Sequence, residues 1–369
     1  MKFTCYKSDL NEALQFAVRA VAVKPMTPIL TGIYMRAEGS VLEIHSNNFA
    51  TGIIVRIPVN TEIPGEVVVN GKKLHEFVRS IPGETLVLSD EIDSSVLKID
   101  ASSAGVELLT MSCSDFPKVK YSEGENSFQI RTKTLRDLIR KTVFAVAKED
   151  SRPVFTGCSF ELAKDRILMV ATNTHRLALA SELLPETYPS CSFVVPAESL
   201  RGLLARISPD DVDNQVTVSY STRYLMFSFD NVFVSSRLIE GMFPPYDRVI
   251  PSTNTTLVTV DTAEFKAAVD FVALMSKETE YNTVKFTFGD NNIEVSSASP
   301  EIGGAVKHVK AEIDGEDLEI SFNVNYIADV MRVIDSQKVN IGLTNRLSPA
   351  VFTEPDNDGY VYVATPVRA

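Results

Sequence analysis

The sequence has no apolar run long enough to cross a membrane, no close pair of cysteines and few histidines, and each absence removes a class of protein. A membrane-spanning helix needs roughly 18 or more consecutive apolar residues, and no window approaches that length. The opening "MKFTCYKSDLNEALQF" also lacks the long apolar stretch and cleavage site of a secretory signal, so the expected compartment is the cytoplasm, with no membrane partner. The cysteines, at 5, 113, 158 and 191, lack the spacing of zinc sites and redox motifs and read as reduced packing residues. His45, His75, His175 and His308 are scattered without ligand spacing, so neither a metal nor a cofactor is expected.

Catalytic signatures are missing too. No HExxH, GxSxG, GxGxxG or EF-hand pattern occurs. The stretch "GEVVVNGKKL" approaches a phosphate loop, but one residue too many separates Gly65 from Gly71, and Lys73 stands where Ser or Thr would bind magnesium. In "VATNTHRLALA" (170–180) His175 sits beside Arg176 in an apolar run. A His175-based hydrolase would have its general base there, yet nothing in the sequence specifies a nucleophile, and the chain is read as a non-enzyme. The net charge of −12, from 36 basic and 48 acidic residues, argues against a nucleic-acid partner if charge is spread evenly.

What is present is repetition. The 369 residues, 44% of them hydrophobic, suffice for two or three cores. Three segments, "VVNGKKLHEFVRSI", "VVPAESLRGLLARI" and "SFNVNYIADVMRVI", each run from a strand-like end into an amphipathic helix, with Leu74, Leu200 and Ile327 in equivalent places 126 and 127 residues apart. A second helix recurs in "SDLNEALQFAVRAV", "KTLRDLIRKTVFAV" and "AEFKAAVDFVALMS", which align Leu10, Leu135 and Phe265. Ser8 and Thr134 suit N-caps, and Asp261 or Thr262 suits the third copy. Helices are thus expected at 8–20, 71–81, 131–146, 196–208, 261–276 and 323–335. Between them, alternating runs broken at Glu38-Gly39, Lys164-Asp165 and Gly289-Asp290 read as antiparallel hairpins. Each repeat has an α+β plan of two helices on antiparallel sheets. "SDFPKV" and "GMFPPYDRV" end the first two copies with Phe116 and Phe243 127 residues apart, which sets domains at 1–122, 123–252 and 253–369.

Charge is not spread evenly. The six helical segments carry 13 basic and 10 acidic residues, so the acidic excess lies outside them. A helical face of this kind attracts a polyanion locally, because fields act within about a Debye length, ~8 Å at physiological salt.

With the triple repeat, "KPMTPILTG" (24–32), "SRPVFTG" (151–157), "THRLA" (174–178), "FPPYDRVIP" (243–251), "FNVNYIADV" (322–330) and the terminal "TPVR" (365–368), the whole chain resembles the bacterial sliding clamps, the beta subunit of the replicative DNA polymerase. The resemblance implies the DNA-clamp fold, with three domains forming half of a six-domain ring and a homodimer closing it head to tail. It implies a processivity factor that encircles duplex DNA without sequence preference and docks the polymerase, the clamp loader and repair polymerases through a peptide pocket between the second and third domains.

Carried over by position, the pocket comprises Arg152, Phe155, Thr172, His175, Arg176, Leu177, Pro244, Arg248, Val249, Asn323, Tyr326, Leu347, Val363, Thr365, Pro366, Val367 and Arg368. Leu177, Val249, Val363 and Val367 would receive apolar side chains, and His175, Arg152, Arg176 and Arg368 would hold polar ends. Thr174 and Thr365 stand where relatives often have Gly and Met. Lys24, Arg79 and Lys148 match DNA-contacting positions, with Arg136, Arg140, Arg201 and Arg332 as further inner-face cations. Lys73, Val106, Leu274, Met275 and Glu301 match the dimer seam.

Overall fold

The computed structural model describes residues 1–90, 95–120, 126–149, 151–211, 214–276, 282–299 and 303–367. All six expected helices form: α1 (Lys7–Ala17), α2 (Gly71–Ser80), α3 (Thr132–Thr142), α4 (Ala197–Arg206), α5 (Thr262–Ser276) and α6 (Val324–Met331). Their apolar periodicity is what buries them. In α1, Leu10, Ala13, Leu14 and Ala17 share one face and are buried, and in α2 Leu74 and Val78 are buried one turn apart. Each fully buried leucine contributes about 1.5–3 kcal/mol. The expected ends overreach: Val18–Ala20 and Val143–Ala145 tighten into 3-10 turns beyond α1 and α3.

The caps differ from the expectation for a physical reason. Ser8 and Thr134 lie inside the first turns of α1 and α3, which start at the ends of preceding strands. The first amide of each long helix donates instead to a distant carbonyl: Lys7 to Glu84 at 2.8 Å, Thr132 to Asn214 at 2.8 Å and Thr262 to Gln337 at 2.9 Å. This tertiary cap recurs once per repeat and needs no side chain. Asp261 does cap α5, its carboxylate accepting from the Glu264 amide at 2.9 Å. The shorter helices use Asn70, which accepts from the Lys73 amide, and Asn323, which accepts from the Asn325 amide, both at 3.0 Å. A Cβ on Gly71 would lie 2.7 Å from Ile33, so close helix–sheet packing explains the glycine of the near-phosphate loop.

Among the described residues every strand pairing is antiparallel. Two of the expected hairpin turns form, with Gly39 (φ 60°) between Glu38 and Val41 and Asp290 (φ 50°) between Gly289 and Asn292, whereas Lys164 (φ 59°) lies inside the strand Gly157–Thr172 opposite Tyr188, where the register shifts on either side of it. The alternation in "TVKFTFG" points Val284, Phe286 and Phe288 inward, where Phe286 packs against Phe265 of α5 and Phe322.

Compactness divides the chain differently from repetition. One unit holds Met1–Leu135 with Glu198–Leu238, and the other holds Arg136–Ala197 with Ile239–Ala369. In the first, the strand Val232–Arg237 pairs with Thr51–Pro58, Val232 opposite Val55 and Ser236 opposite Thr51. In the second, Asn357–Ala364 pairs with the run Arg176–Pro196, Ala364 opposite Arg176 and Val363 opposite Leu177. Sheets therefore run through the middle repeat, whose two halves complete different units. The second unit also buries an ion pair, with Lys141 Nζ 2.6 Å from Glu354 Oε2 and 5.0 Å from the centre of the Tyr360 ring.

Candidate functional site

The loop Asn173–His175 links the two longest strand runs of the second unit, and short polar side chains shape it. Thr172 Oγ1 accepts from the Thr174 amide at 3.1 Å and donates to the Arg176 carbonyl at 2.6 Å. Asn173 Oδ1 accepts from the amides of His175 (3.1 Å) and Arg176 (3.0 Å). These bonds hold Thr174 at φ 73°, a left-handed backbone unfavourable for a β-branched residue by about 1–3 kcal/mol. A glycine would adopt that backbone without strain.

The chain end closes on this loop. The His175 carbonyl accepts from the Thr365 amide and hydroxyl, both at 2.9 Å, and the Val367 amide donates to the Ser321 carbonyl at 2.8 Å. Between loop and chain end opens a cavity of about 640 Å³, lined by Thr174, His175, Asn323, Tyr326, Leu347, Pro349, Thr365, Pro366 and Val367. Its wall mixes apolar surface with the His175 ring and the Asn323 amide, and among the described residues no carboxylate, lysine or arginine lines it. Such a surface suits a short ligand that offers both apolar side chains and polar groups. Seven of the residues selected for the pocket from the sequence meet here. Thr174 and Pro349 complete the lining, and only Leu347, two residues away, hinted at Pro349. Arg368 lies outside the described residues.

Beside the cavity the selected residues take other roles. Leu177 and Val363 are buried with Val170 beneath Phe243, Tyr246 and Ile250. They form the wall under the segment that carries half-buried Pro244 and exposed Arg248 and Val249. Phe155 meets Phe243 edge-on at 6.3 Å, and the Arg152 guanidinium lies 4.2 Å from the Phe155 ring centre. The Tyr246 hydroxyl donates to Glu161 at 3.1 Å, and burial with that neighbouring carboxylate pushes its pKa up.

Arg176 is engaged within the fold. Its side chain is 9% exposed, bonds Asp329 at 2.7 Å and the Phe144 carbonyl, and lies 4.7 Å from the Tyr326 ring centre. It ties the loop to α6, whose Tyr326 lines the cavity. Arg176→Ala is expected to cost about 2 kcal/mol of stability, as for a hydrogen-bonded charged group, read as a lower urea midpoint with an unchanged slope. An unchanged midpoint would return Arg176 to the ligand-binding set.

Three family profiles match in tandem: the N-terminal domain of the DNA polymerase III beta subunit over residues 1–120, its central domain over 129–245 and its C-terminal domain over 247–368. The chain belongs to the beta sliding-clamp family. It is 32% identical to the beta sliding clamp of Bacillus subtilis over 381 aligned positions covering all of both chains. The solved B. subtilis clamp matches at TM-score 0.93 with 31% identity, over all of this chain and 99% of that one. A Pseudomonas aeruginosa clamp solved bound to griselimycin matches at 0.92 with 28% identity over the full length of both. The fold is thus three clamp domains of helices and antiparallel sheets, and the sliding clamp is a processivity factor of replication, not an enzyme.

The cations selected for DNA in this clamp chain divide by environment. Lys24, at φ 57°, Arg79 in the last turn of α2, Lys148 and Arg201 are exposed. Arg140 bonds the Val333 carbonyl at 3.1 Å and Asp335, so its charge is engaged within the fold. Arg332 pairs with Asp329 at 2.7 Å, and Arg136 lies 3.6 Å from Asp137.

The described residues selected for a dimer seam fall in both units. Val106 sits on the strand Ala104–Met111, which pairs with Val96–Ala101 along its length but with Gly65–Asn70 only at Thr110 and Met111. The edge from Ala104 to Leu109 thus has no second strand partner among the described residues. In the other unit, residues 303–310 of the strand Gly303–Gly315 pair with Asn292–Ser299 alone. Lys73 on α2 pairs with Glu76 at 2.8 Å, Leu274 is exposed on α5, Met275 is half-buried, and Glu301 lies outside the described residues. Phe77, Leu109, Phe271 and Val306 are exposed as well, which periodicity does not reveal because it marks apolar residues alike whether buried or exposed.

Among the described residues no helix is long and apolar enough to cross a membrane, and no three His, Cys, Asp or Glu side chains gather as metal ligands.

Proposed function

We propose that two copies of this chain close head to tail into a ring of six repeats, bounded at 1–122, 123–252 and 253–369 in each chain, around duplex DNA in the cytoplasm. The ring tethers the replicative polymerase for processive synthesis and docks clamp-loader and repair proteins through the cavity between His175 and Val367. The observation that carries the docking role is that cavity itself, where residues far apart in sequence converge and apolar Leu347, Pro349, Pro366 and Val367 stand among polar Thr174, His175, Asn323 and Thr365.

Charge supports the encirclement. The six helices hold 11 basic and 8 acidic residues in a chain of net charge −12, so the helices are where a polyanion is tolerated. Exposed Lys24, Arg79, Lys148 and Arg201 would contact phosphates, which position a duplex without reading its sequence.

A protein-binding scaffold that never encircles DNA would share the cavity, and topology separates the two. Clamp loaded by its clamp loader onto nicked circular DNA is expected to survive a high-salt wash and to be released once the circle is linearised. Equal retention on both forms would leave only the scaffold.

A further inference from the structure

The repeat that builds the His175 loop builds a second one. Asn47 Oδ1 accepts from the Phe49 amide at 2.8 Å, and Asn48 Oδ1 accepts from the amides of Ala50 (3.0 Å) and Thr51 (2.8 Å). Phe49 takes φ 68°, where Thr174 takes 73°. The Ala50 carbonyl accepts from the Arg237 amide at 2.8 Å, as the His175 carbonyl accepts from Thr365. Against this loop lies a groove of about 370 Å³.

The chemistry of the groove is its own. Phe49, 56% exposed, and exposed Tyr224 stand at its rim. Val119 and Met226 line it from a buried cluster with Ile54 and Phe233. A Cβ on Gly52 would lie 2.9 Å from Val119, so the glycine lets the 115–120 segment press against the sheet, and Asn47 Nδ2 anchors that segment through the Pro117 carbonyl at 2.8 Å. Among the described residues, Lys118 and Lys120 are the only charged residues of the lining, in a chain of net charge −12. Lys118 is already engaged, 3.1 Å from Glu66 and 4.4 Å from the Tyr34 ring centre, which leaves exposed Lys120 as the cation facing a ligand. Apolar depth with a lysine at the rim is complementary to an apolar segment that carries a carboxylate.

We propose that this groove is a second docking site, for an extended peptide segment whose apolar side chains are flanked by carboxylates. The site goes beyond the His175 cavity and stands or falls independently of it. Its apolar wall would take the leucine-like side chains and Phe49 would cover them, while Lys120 would meet a carboxylate at the rim, where such a pair sets selectivity more than affinity.

The test uses the full-length protein with 13C-labelled methionine methyl groups, the Met226 signal being assigned through Met226→Leu. Acetyl-Asp-Leu-Glu-Leu-amide is expected to shift the Met226 methyl saturably, and acetyl-Lys-Leu-Lys-Leu-amide to bind tenfold more weakly or not at all. Lys120→Glu and Phe49→Ala should each weaken the acidic peptide tenfold or more while leaving the ligand-free spectrum in place. Deleting residues 365–369 should leave the Met226 response intact. The proposal is overturned if neither peptide shifts Met226, if both do so equally, if both variants bind as the parent does, or if the response disappears with residues 365–369. A short DNA duplex that shifts Met226 in place of the acidic peptide would overturn it as well.

Discussion

A chain lacking residues 365–369 is expected to bind a short apolar peptide from the replicative polymerase about a hundredfold more weakly than the full chain, while the mass of the assembly is unchanged. Pro366 and Val367 form part of the cavity wall, and the contact they offer a buried partner side chain is worth about 1.5–3 kcal/mol. Thr365 adds two hydrogen bonds to the His175 carbonyl, each about 0.5–1.5 kcal/mol, without which the opposite wall loses its anchor. About 3 kcal/mol is roughly two decades in affinity. The assembly is expected to persist because Thr365 and Val367 bond to His175 and Ser321, and neither belongs to the open edges at 104–109 and 303–310. Fluorescence anisotropy with the labelled peptide measures the first quantity and sedimentation the second. Equal affinity before and after truncation would remove the cavity from the docking function.

The cavity was legible in sequence only through its motifs acting together. "THRLA", "FNVNYIADV" and "TPVR" lie far apart, and nothing in periodicity brings Asn323 to His175. Helix existence was more accessible, since Leu10, Leu14 and Ala17, or Leu74 and Val78, repeat at the helical period within one segment. Helix starts were not, because the groups satisfying the first amides of α1, α3 and α5 are carbonyls of Glu84, Asn214 and Gln337, over seventy residues away in each case. Propensity rules see a side-chain cap at Ser8 where the fold supplies a tertiary one.

Charged residues show the same limit. Arg176 beside His175, and Arg140 on a basic helix, read as ligand-facing cations, yet each guanidinium is held by groups more than thirty residues distant in sequence: Asp329 and the Phe144 carbonyl for one, Asp335 and the Val333 carbonyl for the other. Whether an arginine faces a ligand or braces a fold depends on which carbonyls the topology brings to it. Thr174 is the opposite case. Its β-branched side chain is visible in the sequence, and the structure supplies the reason it matters, a left-handed backbone beside the cavity.

Placing a charge on one open edge is expected to reduce the protein to single chains. Leu109, 77% exposed, lies on the edge strand of the first unit and Phe77 is exposed on α2, while Leu274, 69% exposed, and Phe271 lie on α5 with Val306 on the open edge of the second unit. The two surfaces differ, so a contact between them is heterologous, and in a closed two-chain ring it occurs twice. Strand addition along residues 104–109 and 303–310 would satisfy the backbone groups both edges leave unpaired. Leu109→Asp would bury a carboxylate there. Without a cationic partner that costs several kcal/mol at each of two contacts. On its own exposed surface the substitution should cost little, so the free chain stays folded. Sedimentation is expected to show a species near 40.6 kDa for Leu109→Asp and twice that for the parent, with retention on circular DNA lost in parallel. A variant that keeps the doubled mass would place the seam elsewhere, and one that keeps circular retention as a single chain would separate DNA binding from ring closure.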